Sequence, residues 1–124
     1  MAIAQFGVVV LDAPDPEALA EFYAGLLGWK VGELEEGGDW IEVAGPQGRL
    51  LAFQKAPDMV PPEWPSGERS QQFHLDFRVP RDRIEEAERE ALELGARLVQ
   101  HDEGERDWRV YLDPAGHPFC LCLH

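Results

Sequence analysis

The stretch SQQFHLDFRVP, residues 70–80, places His74, Asp76 and Arg78 at alternate positions of an otherwise apolar run. Successive side chains of a strand point to opposite faces, so these three share one face and Phe73, Leu75, Phe77 and Val79 share the other. The apolar face is expected to cover a helix. A face that carries an imidazole, a carboxylate and a guanidinium borders solvent or a cavity, and there His74 and Asp76 can serve as acid and base, or His74 as a metal donor. A histidine hydrogen-bonded to Asp76 or to a neighbouring strand accounts for the same pattern without chemistry. Cys120 and Cys122 stand two apart on one face of the closing run PFCLCLH, a spacing awkward for a mutual disulfide. No neighbour in the sequence marks either thiol as activated.

These residues belong to the second of two copies of one pattern. Phe6 and Phe73, Asp15 and Asp82, and Gly28 and Gly95 are each 67 apart, whereas Trp40 and Trp108, Pro46 and Pro114, and Gly48 and Gly116 are each 68 apart. Each copy opens with a strand, FGVVVL or FHLDFRV, continues in a helix and closes with three short strands. In the first, Asp15 caps the helix, Pro16 takes its first position, Leu19, Phe22, Tyr23 and Leu26 make the apolar stripe, and Gly28 ends it. In the second, Asp82 is the expected cap, Ile84, Ala87, Ala91 and Leu94 the stripe, and Gly95 the stop. The closing strands read WKVGEL, DWIEVA and RLLAFQ, then ARLVQ, DWRVYL and PFCLCLH. The reading is βαβββ twice over in a single domain: repeat one over 4–54, a proline-rich linker over 55–71 and repeat two over 72–124.

An offset of 67 assigns Gly7, Val9 and Leu11 to the face that carries His74, Asp76 and Arg78, and an offset of 68 sets Ala52 and Gln54 at the positions of Cys120 and Cys122. If the two sheets curl toward each other, these faces enclose a shared cavity. Trp40 and Trp108 either line such a pocket or pack in the core. Trp64, among the linker prolines, either caps the mouth or lies at a dimer contact.

A chain of 124 residues can bury one hydrophobic core without disulfides or a structural metal. Its net charge of −13 disfavours nucleic acid and anionic membrane surfaces and favours cationic or neutral small molecules. With no long apolar run, no secretory signal and only two cysteines, a cytoplasmic location is expected. No phosphate-binding glycine loop, nucleophile elbow or Cys-x-x-Cys pair is present, which disfavours nucleotide enzymes and serine hydrolases.

The duplication, the helix DPEALAEFYAGLLGW, the linker PPEWP, the strand QQFHLDFRV and the ending WRVYLDPAGHPFCLCL together resemble the vicinal oxygen chelate superfamily, and within it the glyoxalase-like branch. The resemblance covers nearly the whole chain. It implies an α+β fold of two βαβββ repeats forming curled, mostly antiparallel sheets, an incomplete barrel with helices outside. It further implies pairing as a homodimer, with the linker or a strand edge near the contact, and ligands on the concave sheet face. Metal-dependent members draw histidine, glutamine or glutamate ligands from the first and last strands of each unit. Carried onto this chain, those positions are Gly7 or Val8, Ala52 or Gln54, His74, and Cys120.

Two plausible donors of four remain, so no metal cofactor is expected, and a divalent metal, if held, would use His74 and Cys120. The expected function is small-molecule binding without the full metal site, similar to that of bleomycin-resistance proteins. The candidate binding residues are His74, Asp76, Arg78, Gln54, Trp40, Trp64, Trp108 and Cys120. The alternative is a metal-assisted or acid–base isomerase, lyase or dioxygenase of the glyoxalase-like group, with His74 and Asp76 as the catalytic candidates.

Overall fold

Asp15 leaves the first strand in an extended conformation, and its carboxylate accepts a hydrogen bond from Ala18 N at 3.2 Å, capping the helix that Pro16 begins. That helix, α1 (Pro16–Leu27), ends at Gly28, whose φ of 68° lies in the left-handed region that costs glycine least. The computed structural model describes residues 2–63 and 67–124. The chain divides into two compact units, Met1–Met59 and Val60–His124.

The first unit consists of β1 (Val9–Ala13), α1, β2 (Lys30–Val31), β3 (Trp40–Ala44) and β4 (Leu50–Lys55), with sheet order β1-β4-β3-β2. β1 runs parallel to β4, and the other two pairings are antiparallel. Leu19, Phe22 and Tyr23 of α1 are buried, as are Ile41, Val43, Leu51 and Phe53 of the sheet, and Tyr23 stacks on Phe53 at 5.7 Å. Each such side chain contributes about 1.5–3 kcal/mol on full burial, so helix-on-sheet packing dominates the stability of this unit.

The second unit repeats the plan with β5 (Leu75–Val79), α2 (Ile84–Glu93), β6 (Arg97–Gln100), β7 (Trp108–Leu112) and β8 (Pro118–Leu123) in the order β5-β8-β7-β6. Again the first and last strands pair in parallel and the rest antiparallel. Phe77 packs on Phe119 and Phe119 stacks on Tyr111, whose hydroxyl donates to Glu88 of α2 at 2.8 Å. Phe77 of β5 thus lies on the sheet face from which Tyr111 reaches the helix, and the architecture is the expected α+β duplication.

Several details depart from the sequence reading. Phe6 and Phe73 precede the strands and are 84% and 90% exposed. On the second sheet Leu75 pairs with Phe119, so His74 would meet Pro118, which has no N–H to continue the ladder. Asp82 does not cap α2: a 3-10 turn over Arg81–Arg83 intervenes, the helix starts at Ile84, and no side chain caps it. That turn also changes the repeat offset. Val9 pairs with Leu51 as Leu75 pairs with Phe119, so β1 and β5 are related by 66 positions, and the counterparts of His74, Asp76 and Arg78 are Val8, Val10 and Asp12 rather than Gly7, Val9 and Leu11. Leu94 is exposed at the end of α2 instead of completing its stripe. Within the proline-rich segment Glu63 bridges to Ser70, and Pro61 lies so close to Gly116 that a Cβ there would come within 2.7 Å of it.

A buried ionic cluster ties α2 to its sheet. Arg109 of β7 is 3% exposed; its Nε donates to Asp102 and its Nη2 to Glu85 at 2.7 Å. Its Nη1 lies 3.2 Å from Glu88 Oε1, close enough for ion pairing but without hydrogen-bond geometry. Burial opposes the charge on Arg109, yet the surrounding carboxylates outweigh it and hold the guanidinium firmly protonated. The acidic loop before β7 is not uniformly solvated. Asp102 is buried there because it meets Arg109.

Candidate functional site

In the parallel pairing of β5 with β8, Asp76 lies directly opposite Cys120, and Arg78 opposite Cys122. His74, two residues before Asp76, projects from the same face. Its Nε2 is 3.0 Å from Asp76 Oδ1, and its Nδ1 is 3.0 Å from Gln71 Oε1. One donor atom each from His74, Asp76 and Cys120 lie within 4.8 Å of one another. On the next strand Trp108 pairs with Cys122. His74, Asp76, Cys120, Cys122 and Trp108, together with Asp107 and Leu123, line an open cleft of about 440 Å³. The indole of Trp108 leaves its residue 43% exposed, so it forms part of the cleft wall rather than of the core.

Burial, reinforced by the charge of Asp76, pushes the Cys120 thiol up to about 12 and raises that of Cys122 as well. Both are therefore thiols near neutral pH, and neither is an activated nucleophile.

Among the sequence-derived candidates, His74, Asp76, Trp108 and Cys120 converge on this cleft, joined by Cys122. Arg78 shares the face but stands outside the lining. Trp40 and Gln54 are paired neighbours in the first unit, where Trp40 Nε1 donates to Glu42 at 3.2 Å and Gln54 Nε2 donates to Asp12 at 2.8 Å. Trp64 lies outside the described residues.

The four-ligand metal set implied by the resemblance does not fit this chain. With the register established, its first-unit positions are Val8 and Ala52, neither of which carries a donor atom, and the nearby Gln54 amide is bonded to Asp12. The second unit brings together its two expected donors, His74 and Cys120, and adds Asp76. Sequence reasoning assigned Asp76 to acid–base chemistry, because the lateral register of β5 against β8 is not visible along the chain. Its contact with His74 is one of the two partners that the face pattern left open. The Arg109 cluster was missed altogether. Its signal was a charged residue at a helix-facing position of β7, with Glu85 and Glu88 one helical turn apart on α2.

A helix-covered βαβββ unit occurring twice, with a polar cluster on the sheet face away from the helix, defines a glyoxalase-type α+β protein. Residues 8–122 match the model of the Glyoxalase-like domain, and the chain belongs to that family, within the vicinal oxygen chelate superfamily. Among solved structures, a glyoxalase/bleomycin resistance protein/dioxygenase family enzyme from Burkholderia phytofirmans is 19% identical, with TM-score 0.72 over 94% of this chain and 95% of that one. A possible glyoxalase from Bacillus cereus is 16% identical, with TM-score 0.70 over 93% and 95%. The fosfomycin resistance protein FosX from Listeria monocytogenes is 13% identical, with TM-score 0.73 over 99% and 93%. At these identities the likeness is one of fold. The comparison with curated proteins found no match.

Proposed function

We propose that this glyoxalase-like protein binds a small molecule in the second unit's cleft, without the four-ligand metal set. The observation that carries the reading is the half-exposed Trp108 beside His74 and Asp76, an aromatic wall with a few convergent polar groups. The net charge of −13 favours a cationic ligand. One structural neighbour is described as a glyoxalase/bleomycin resistance protein/dioxygenase family enzyme and another as a fosfomycin resistance protein, which supports drug-like ligands as probes. The protein acts in the cytoplasm as a homodimer, and sedimentation at micromolar concentration tests that assembly.

The direct test is calorimetric titration with bleomycin, a cation, and fosfomycin, an anion, in the presence of a chelator. Saturable binding of bleomycin, weakened by Trp108→Ala, supports the reading. Absence of saturation, or binding indifferent to Trp108, overturns it. A second reading, acid–base catalysis, is favoured by the 3.0 Å contact of His74 with Asp76. It requires turnover that is lost in both His74→Ala and Asp76→Asn.

A further inference from the structure

We infer that the Trp108 cleft of the second unit selects a quaternary, fully N-methylated ammonium group, in preference to a primary amine or a neutral group of the same shape. The inference rests on the reading that a small molecule occupies this cleft, and it names the part of that molecule the cleft recognises.

Charge sets the first condition. Asp76 and Asp107 both line the cleft, and no lysine or arginine is among the described residues that line it. Arg78 shares the sheet face but stands outside the lining. On a chain of net charge −13, such a wall draws in cations and repels anions.

Hydrogen bonding separates one kind of cation from another. A primary ammonium carries three N–H donors, and each needs an acceptor once water is displaced. Here the carboxylates are already engaged: Asp107 Oδ1 accepts from Arg81 Nη2 at 2.9 Å, and Asp76 Oδ1 lies 3.0 Å from His74 Nε2. The remaining wall is soft, formed by the indole of Trp108, the side chain of Leu123 and two sulfurs that burial keeps as thiols. A quaternary head has no N–H to satisfy. Its methyl groups spread the positive charge over apolar and aromatic surface, and a carboxylate nearby serves as counter-charge without a directed bond.

The sheet places both parts within reach of one head. Trp108 of β7 pairs with Cys122 of β8, and Asp76 of β5 lies opposite Cys120 on the same strand. Two strand spacings, about 10 Å, therefore separate the backbones that carry the indole and the carboxylate. A compact onium head between them touches the first and lies near the second. Trp108 remains 43% exposed, which leaves aromatic surface free to make that contact.

The test is calorimetric titration of the intact chain, with chelator present, using choline, its neutral isostere in which a tert-butyl group replaces trimethylammonium, and ethanolamine. Choline should saturate, and the other two should bind about tenfold more weakly or less. Trp108→Leu keeps apolar surface and removes the aromatic face, so it should weaken choline several-fold and leave the isostere unchanged; Asp76→Asn should do the same. Circular dichroism checks the folding of both variants. An isostere or ethanolamine that binds as tightly as choline overturns the inference and leaves the small-molecule reading standing. Choline binding indifferent to Trp108→Leu also overturns it. Bleomycin that saturates where choline does not defeats this inference alone, whereas failure of both defeats the reading on which it rests as well.

Discussion

Arg109 on β7 donates to Glu85 on α2 across 2.7 Å, so the second helix is fastened to its sheet through a guanidinium that is almost wholly buried. In the first unit α1 adheres through Leu19, Phe22 and Tyr23, whereas α2 offers only Ile84 and Ala91 as buried apolar residues. The ionic cluster supplements a thin apolar contact.

Arg109→Met is therefore expected to lower the unfolding free energy by about 3 kcal/mol, because it leaves Asp102 as an uncompensated buried carboxylate. Urea unfolding checks this. Glu85→Ala, which removes an exposed partner, should cost much less.

Acid should loosen the same unit. The hydrogen bond from Arg109, helped by the backbone N–H of Gly104, lowers the Asp102 carboxyl below its ordinary range, and Arg109 likewise lowers Glu85. Groups depressed in the folded state stabilise it fully above their unfolded value of roughly 4 and lose that contribution as pH falls below it. Thermal unfolding of the unmodified protein should decline through this window, and Asp102→Asn should be less stable at neutral pH and flatter on acidification.

The thiols should be slow to alkylate. With Cys120 pushed up to about 12 by burial and by Asp76, iodoacetamide at about pH 8 meets a protonated, buried sulfur. Mass spectrometry should show Cys122, which is partly exposed, modified well before Cys120.

Gly45→Ala should destabilise the first unit. A Cβ at that position would fall 2.3 Å from Trp29 Cε2, and an indole ring cannot yield as a flexible chain end does. The expected cost is about 1–3 kcal/mol in chemical denaturation. Gly7→Ala, with open space around it, serves as the unaffected control.

Periodicity and punctuation by themselves determined the duplication, the strand order along the chain, the cap at Asp15, the stop at Gly28 and the pairing of Trp40 with Trp108 as equivalents. Each is a local property, because the caps, left-handed glycines and alternating faces depend on residues within a few positions of one another. The shared face of His74 and Asp76 was legible for the same reason. What only the tertiary structure decided was lateral: the register that sets Asp76 against Cys120, the offset that makes Val8 and Val10 the counterparts of His74 and Asp76, and the reach of Arg109 to Asp102, Glu85 and Glu88. A slip of one residue between strands turns every side chain to the opposite face. That register is fixed by packing between residues more than forty positions apart, and composition and spacing along the chain do not encode it locally.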